Sequence, residues 1–239
     1  MWRQVPEHSA GQERKETGRL EALSDGVFAI AMTLLVLGIP IPTAEKLAAQ
    51  HLSLRAAVMD HTAWLPFLTY AISFLTILVM WINHHYIFQF VARIDRYFVV
   101  ANGLLLMVIV FVNYPTALAA NFIGTADGEF AAIAYNVTLV AASILYNALW
   151  FRIISHRRLL VADADPAEVA SYTRQYLIGG PMYVVALGLA FVNPGLSIAL
   201  DAALAIFWAF TGKTTRTQVR YPAQPATEAP GATPGGRER

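Results

Sequence analysis

Repeated apolar runs, each about as long as a bilayer-spanning helix, constrain this chain more than any other feature. A helix needs roughly 20 mostly apolar residues to cross the hydrocarbon core of a membrane. Six stretches reach or approach that length, at 18–39, 63–90, 97–119, 130–151, 172–192 and 194–211. The sequence therefore predicts an all-α, polytopic membrane protein with six transmembrane helices per subunit.

The composition supports a membrane protein and limits its chemistry. Hydrophobic residues make up 56% of the 239 residues and charged residues only 14%, whereas about 25% is usual for a soluble domain. The chain has no cysteine, which excludes disulfides and thiolate metal sites. No interleaving of basic and aromatic residues suggests nucleic acid as a partner, so the lipid bilayer is the expected surrounding.

The two ends of the chain differ from the apolar middle. Residues 1–17 are polar and lack the apolar core of a cleavable signal peptide, so we expect a cytoplasmic N-terminal tail. Residues 18–211 form the predicted six-helix domain. Residues 212–239 are rich in Pro, Ala, Thr and Gly, and are too poor in apolar residues to fold alone. They are predicted to form a disordered cytoplasmic tail.

The basic residues lie almost entirely on one side of the predicted topology. If the segments between spans are assigned alternately to two sides, every Lys and Arg except Lys46 and Arg55 falls on the side that holds both termini. Cytoplasmic loops carry the excess of Lys and Arg in membrane proteins. We therefore expect a multi-pass protein of the cell membrane with both termini in the cytoplasm.

Polar residues near the cytoplasmic ends of the first three spans fall in one layer. At 1.5 Å per residue, Asp25 and Asn102 lie about 9 Å inside the nearest arginine of their spans, and His84 and His85 lie about 12–13 Å inside Arg93. Polar groups at such depth are costly unless they are paired. The sequence thus predicts a structural polar network, and its candidate members are Arg19, Ser24, Asp25, His84, His85 and Asn102.

The first span also carries an apolar stripe. At 100° per residue, Ile30, Leu34 and Leu37 fall within about 60° of one another, Thr33 stands on the shoulder of the stripe, and Ser24 and Asp25 point to the back. The same helix can present the stripe to one surface and its polar pair to the bundle. From geometry alone, such a stripe is more typical of a surface that faces lipid or the protein core than of a functional surface.

The sequence lacks the motifs of several other chemistries. Ser24, Asp25 and His84 include the residue types of a nucleophilic triad, but no Gly-x-Ser-x-Gly elbow accompanies them. His84 and His85 are adjacent and point about 100° apart, so they cannot chelate one metal as an i, i+4 pair would. No Walker loop is present, and no Thr-Val-Gly-Tyr-Gly filter. Asp201 could line a wet cavity, pair across helices, or be solvated near the outer face.

Two stretches carry a resemblance to a known family. "RLEALSDGVFAIAMTLLVL", residues 19–37, resembles the opening helix of the prokaryotic transmembrane protein 175 family of potassium channels, with Leu23 where that family has phenylalanine. "WINHHYIF" in the second span is similar to the family's Trp-x-x-His-His-x-x-Phe pattern. Asn102, Pro115 and Thr116 of the third span also match.

The resemblance implies a homotetramer in which the first helix of each subunit lines a central pore. It implies passive conduction of K⁺ and related monovalent cations, with no enzyme activity, no cofactor and no small-molecule substrate other than ions. The constrictions would be rings of Ile30, Leu34 and Leu37, with Thr33 beside the narrowest ring. The alternative is a proton-coupled secondary transporter that uses Asp25 and His84 or His85. A membrane-embedded enzyme or a scaffold without transport is the third reading.

Overall fold

The computed structural model describes residues 7–59 and 65–211, and within these ranges the regular structure is helical. Nine α-helices follow one another, and a 3₁₀ turn at Leu35–Gly38 extends the first of them. Their bounds are α1 Glu7–Leu34, α2 Ala44–Ala49, α3 Leu54–Met59, α4 Leu65–Gln89, α5 Arg96–Phe111, α6 Asn113–Phe122, α7 Gly128–Ser155, α8 Pro166–Ala190 and α9 Pro194–Thr211. The all-α prediction is confirmed.

Four segments of the described residues are long and apolar enough to cross a membrane. They are Lys15–Gly38, Pro66–Gln89, Arg96–Phe122 and Gly128–Ser155. The fifth predicted span corresponds to α8, which is long enough in residues but is not among these four, and the sixth corresponds to the shorter apolar helix Pro194–Phe210. Glu168 and Arg174 make the first half of α8 polar, which lowers its hydropathy relative to the other helices.

The predicted domain limits are refined at one end of the chain. α1 begins at Glu7, so the second half of the predicted N-terminal tail 1–17 is helical and continues into the first span. Residues 1–6 and the predicted C-terminal tail 212–239 lie outside the described residues.

The third predicted span is one apolar segment with a local break. α5 ends at Phe111 and α6 begins at Asn113. Pro115 lacks a backbone N–H, so it cannot bond the carbonyl group of Phe111 one turn earlier. Helical hydrogen bonding resumes at Thr116, whose backbone N–H and hydroxyl group both donate to Val112 O, at 3.1 Å and 2.7 Å.

Two groups of helices make up the bundle. α1 packs against α4 and α5, while α7 packs against α5, α6, α8 and α9. The core between them is apolar and aromatic, with Phe28, Phe98, Leu105 and Trp150 fully enclosed. We call the end of the bundle where α1 and α5 begin and α4 and α7 end the arginine-rich end, because it carries Arg19, Arg93, Arg96, Arg152 and Arg157.

A loop-to-loop contact closes the arginine-rich end. Ala92 N donates to Leu159 O at 2.7 Å, and Val161 N donates to Phe90 O at 3.1 Å. These bonds join the α4–α5 connection to the α7–α8 connection. Both connections are therefore held in fixed positions, and with them the ends of the helices that carry the polar layer.

An ion pair reinforces this contact. Asp95 accepts from Arg152 Nε at 2.9 Å and from its Nη2, and it also caps α5 by accepting from Phe98 N at 2.9 Å. The Arg152 guanidinium lies 4.9 Å from the centre of the Tyr97 ring, within the range of a cation–π contact. Burial by itself would raise the pKa of Asp95, but the hydrogen bonds from Arg152 and Phe98 N outweigh it and lower that pKa.

Replacing Asp95 by Asn tests this ion pair while keeping a helix cap, because Asn caps helices about as well as Asp. We expect D95N to lower the thermal unfolding midpoint in detergent by a few degrees, corresponding to at most about 1 kcal/mol for a partly exposed pair. Asp165→Asn is the matched control, since Asp165 caps α8 through Ala167 N and has no arginine partner within the described residues.

The pH dependence of the same variant has a definite sign. A carboxyl group whose pKa is lowered on folding stabilises the protein above its unfolded pKa and loses that effect as pH falls through its folded pKa. The wild-type protein and D95N should therefore converge in stability at acidic pH. A difference between them that stays constant across the acid range would contradict the ion-pair account.

Candidate functional site

Three helices are joined by a chain of buried hydrogen bonds near the arginine-rich end. His84 Nε2 of α4 lies 2.8 Å from Asn102 Oδ1 of α5, and Asn102 Nδ2 donates to Ser24 Oγ of α1 at 2.9 Å. Ser24 Oγ in turn donates to Leu20 O at 2.9 Å. All three side chains are fully buried. Three of the sequence-predicted residues are thus brought into direct contact, one from each helix.

The direction of these bonds assigns the histidine tautomer. A backbone carbonyl group only accepts, so the Ser24 hydroxyl must donate to Leu20 and accept from the Asn102 amide nitrogen. The Asn102 oxygen is left as an acceptor, so His84 carries its proton on Nε2. Ser24 therefore gives its proton to a carbonyl group and not to an imidazole, which is not the arrangement of an activated nucleophile.

Aromatic rings hold the His84 imidazole in place. The Phe88 ring stacks on it with centroids 4.6 Å apart, and the Phe28 ring lies 5.2 Å away from it. Phe28 belongs to α1 and is itself fully buried. The same face of α1 that supplies Ser24 to the hydrogen-bond chain therefore also packs an aromatic ring on the histidine.

The remaining predicted members of the network lie beside this chain. Asp25 Oδ1 accepts a hydrogen bond from Trp81 Nε1 at 2.9 Å. His85 does not join the buried chain: its Nδ1 lies 3.5 Å from Glu21 Oε1, and both side chains are partly exposed. Arg19 is exposed on the surface of α1. The structure thus separates a buried centre from a half-exposed rim.

Two members of this site were missed by sequence reasoning. Trp81 and Glu21 are not among the residues predicted for the polar network. A usable signal was present, because Trp81 stands three and four residues before the two histidines and so shares their helix face. A tryptophan on that face can donate its indole N–H to a carboxylate.

The apolar stripe of α1 is exposed in the single chain. Ile30, Leu34 and Leu37 are 58%, 53% and 77% exposed, and Thr33 is exposed beside them, with its hydroxyl group donating to Ile30 O at 3.0 Å. The opposite face of the helix, with Phe28 at 0%, is enclosed. The polar layer and the stripe therefore occupy opposite faces of one helix.

Small residues interrupt this exposed face. Gly26, Ala29 and Gly38 are exposed on α1 and the turn after it, and a Cβ atom built on Gly26 or Gly38 would meet nothing within 4 Å. Small residues allow the backbones of neighbouring helices to approach closely within a membrane. The exposed face of α1 therefore carries little side-chain volume at these positions.

Comparisons with known proteins identify the family. Residues 19–112 match the family model described as "Endosomal/lysosomal potassium channel TMEM175". A potassium channel of Chamaesiphon minutus is 43% identical over 197 residues, which cover 82% of this chain and 95% of that protein. The chain belongs to the TMEM175 family. A potassium channel of Streptomyces collinus is 36% identical to this TMEM175 chain over 82% of its length and 92% of the relative.

A solved structure supports the same assignment. The crystal structure described as a lysosomal potassium-selective channel TMEM175 homolog from Chamaesiphon minutus matches with a TM-score of 0.69 at 41% identity. The match covers 82% of this chain and 97% of that one. This TMEM175 chain is accordingly a multi-pass membrane protein. The family and its matched members are channels, which move ions without covalent chemistry, so the chain is not an enzyme.

Metal-binding side chains are not clustered in the described part of the TMEM175 chain. No group of three or more His, Asp or Glu residues within it could hold a metal ion. The buried His84, whose Nε2 is committed to Asn102, is not available as a ligand through that nitrogen.

The environment of Asp201 contradicts one of the three alternatives that the sequence left open for it. The reading of an aspartate solvated near the outer face is wrong, because Asp201 is only 3% exposed. It faces α7 and α8 from α9, far along the bundle from Ser24. The depth of a residue along a helix can be counted from sequence, but the side of the helix that neighbours cover cannot.

Replacing Asn102 by Leu tests the buried chain. The substitution keeps the side-chain size roughly constant but leaves the His84 Nε2–H without an acceptor, so we expect the protein to lose about 1–2 kcal/mol of stability. Thermal unfolding in detergent measures the effect. Asn121→Leu is the matched control, because Asn121 is exposed and its one side-chain hydrogen bond within the described residues is to Ala117 O of its own helix. Equal unfolding midpoints for the two variants would contradict a stabilising role for the layer.

Proposed function

We propose that this chain is a potassium channel that conducts K⁺ and related monovalent cations passively across the membrane. The observation that carries the proposal is membership of the TMEM175 family, with relatives at 43% and 36% identity that are potassium channels. The geometry of α1 supports it, because one helix offers a continuous uncharged surface on one side and is anchored on the other. Potassium is then the permeant ion and no cofactor is required.

The pore in this proposal forms from four copies of α1 around a common axis. Ile30, Leu34 and Leu37 would point to that axis as three successive apolar rings, with Thr33 hydroxyl groups beside the first. Their exposure in the single chain supports this placement. Gly26 and Gly38 support it further, since they leave room for the helices to approach one another.

Apolar rings of this kind would gate by dewetting. A narrow hydrophobic neck holds water and ions poorly, so conduction requires the neck to widen or to hydrate. The same neck forces an ion to lose part of its hydration shell, and K⁺ gives up water more readily than Na⁺. We therefore expect a modest preference for K⁺ over Na⁺.

The buried polar layer would act as the anchor of the pore helix. Ser24 and Asp25 bond to α5 and α4 respectively, and both bonds fix the rotation of α1 about its own axis. With Ser24 held toward α5, the Ile30 stripe is directed away from the bundle. We propose that Arg19, Asp25, His84, His85 and Asn102 serve this structural purpose and do not line the ion path.

A proton-coupled transporter using Asp25 and the histidines fits this geometry less well. Asp25 is bonded to Trp81, and His84 is enclosed between two phenylalanine rings with its Nε2 bonded to Asn102. Neither group shares the exposed face of α1. A relay through them would need a water path into the interior of the bundle.

The proposed topology completes the channel reading. α8 and α9 would be the fifth and sixth spans, placed beside α7, against which both pack. Six spans put both termini on one side, and the arginine-rich end would face the cytoplasm of the cell membrane. A homotetramer of this subunit, surrounded by lipid, is the proposed assembly.

Replacing Ile30 by Asn tests the pore face in liposomes that hold the purified channel. An amide ring would hydrate the neck, so K⁺ flux should rise on the order of tenfold, the equivalent of lowering the barrier by about 1.4 kcal/mol, and K⁺/Na⁺ preference should fall. Ile144→Asn is the matched control, since Ile144 is similarly exposed at 62% but on α7. Unchanged flux in I30N, or the same change in I144N, would overturn the pore assignment.

An introduced cysteine tests the assembly, because the chain has none of its own. Leu37→Cys places a thiol on the proposed axis, where neighbouring copies approach closely enough for disulfide geometry. Mild oxidation in membranes should then give covalent dimers on a denaturing gel. Ile144→Cys should stay monomeric under the same conditions. Cross-linking of I144C without cross-linking of L37C would place α1 at the perimeter.

A further inference from the structure

A second buried polar group lies in the half of the bundle opposite the Ser24 layer. It consists of Asn136 on α7 and of Ser197 and Asp201 on α9, all nearly or fully enclosed. Ser197 and Asp201 stand four residues apart, so they share one face of α9. The channel proposal uses none of these three side chains.

The N–H and O–H hydrogen atoms of Asn136 and Ser197 all take part in hydrogen bonds already. Asn136 Nδ2 donates to Ala132 O at 2.9 Å and to Ser197 Oγ at 2.8 Å. Ser197 Oγ donates its only proton to Ala186 O at 2.7 Å. Because Ala132 O can only accept, the Asn136 amide cannot be turned the other way around. The group therefore has no donor left to offer.

Three oxygen atoms are left over. Asn136 Oδ1 and both carboxyl oxygens of Asp201 are buried and have no hydrogen-bond partner within the described residues. Asp201 lies beside the Asn136 amide group, whose two N–H hydrogens already bond to Ala132 O and Ser197 Oγ. An unpaired buried acceptor is costly, and an ionised buried carboxylate without a partner far more so.

The surroundings of Asp201 offer no compensating positive charge. The titratable side chains that face it are Tyr135 of α7 and Tyr183 of α8, and neither donates a hydrogen bond to it. Within the described residues Asp201 takes part in no ion pair. Any charge on this carboxylate would be uncompensated.

We propose that Asp201 holds a proton at neutral pH and donates it to Asn136 Oδ1. One proton removes the buried charge and at the same time pairs two of the three unpartnered oxygens. The site is thus a proton-binding site that ties α9 to α7, next to the Ser197 bond to α8. It stands apart from the ion path and does not depend on the proposed pore.

If Asp201 holds a proton, the stability of the folded protein depends on pH above the ordinary pKa of aspartate. The folded chain keeps a proton that the unfolded chain releases at neutral pH, so stability falls as pH rises. Asp201→Asn keeps a donor to Asn136 Oδ1 but cannot titrate. The unfolding midpoint of the wild-type protein should therefore fall, relative to that of D201N, by several degrees from about pH 4 up to the pH at which the folded chain releases the Asp201 proton.

Infrared spectroscopy of the full-length protein, purified in detergent and labelled with ¹³C-carboxyl aspartate, reads the proton directly. At neutral pH the wild-type protein should show the carbonyl band of a protonated aspartic acid, and D201N should lose it. Asp127→Asn, which removes an exposed aspartate, should keep the band. If D201N does not fold, the labelled wild-type protein still decides the question, since absence of the band overturns the proposal.

The competing occupant is a monovalent cation. If Asp201 were ionised and held Na⁺ or K⁺, the infrared band would be absent and the unfolding midpoint at fixed ionic strength would depend on which cation is supplied. Either result overturns the proton assignment. Equal midpoints in sodium, potassium and choline salts, together with the band, support it.

Discussion

The hydrogen-bond chain from His84 through Asn102 to Ser24 is the interaction on which the rest of the account depends. Each bond joins a different pair of helices, in a medium where water is not available to replace a lost partner. The chain ends on Leu20 O of α1 itself. Sliding or rotating α1 would break at least one of these bonds, so the chain sets both the height and the rotation of that helix.

The fixed rotation of α1 determines which of its residues face away from the bundle. With Ser24 and Phe28 turned toward the bundle, Ile30 and Leu37 must face away from it. In an isolated chain this surface is apolar and uncovered. Within a membrane, an apolar surface of this kind can face either lipid or a pore. Small residues along the face and membership of the TMEM175 family favour the pore. The same division places Asp25, which bonds to Trp81 of α4, off the proposed ion path.

Much of this arrangement follows from the sequence, and the exceptions have physical reasons. Helical rise and alternating chain direction placed Ser24, His84 and Asn102 at similar depth, and the structure joins them. Which side chain completes a partly buried pair depends on helix packing, so the sequence did not predict Trp81 as the partner of Asp25. The enclosure of Asp201 depends on how α7 and α8 pack against α9, which no local sequence pattern describes.

A density map of the assembled protein in a lipid bilayer tests the central claim most directly. The account predicts four subunits whose α1 helices surround the axis, with Ile30, Leu34 and Leu37 facing it and Asp25 turned toward α4. A map with α1 on the lipid-facing perimeter, or with Asp25 pointing to the axis, would contradict it.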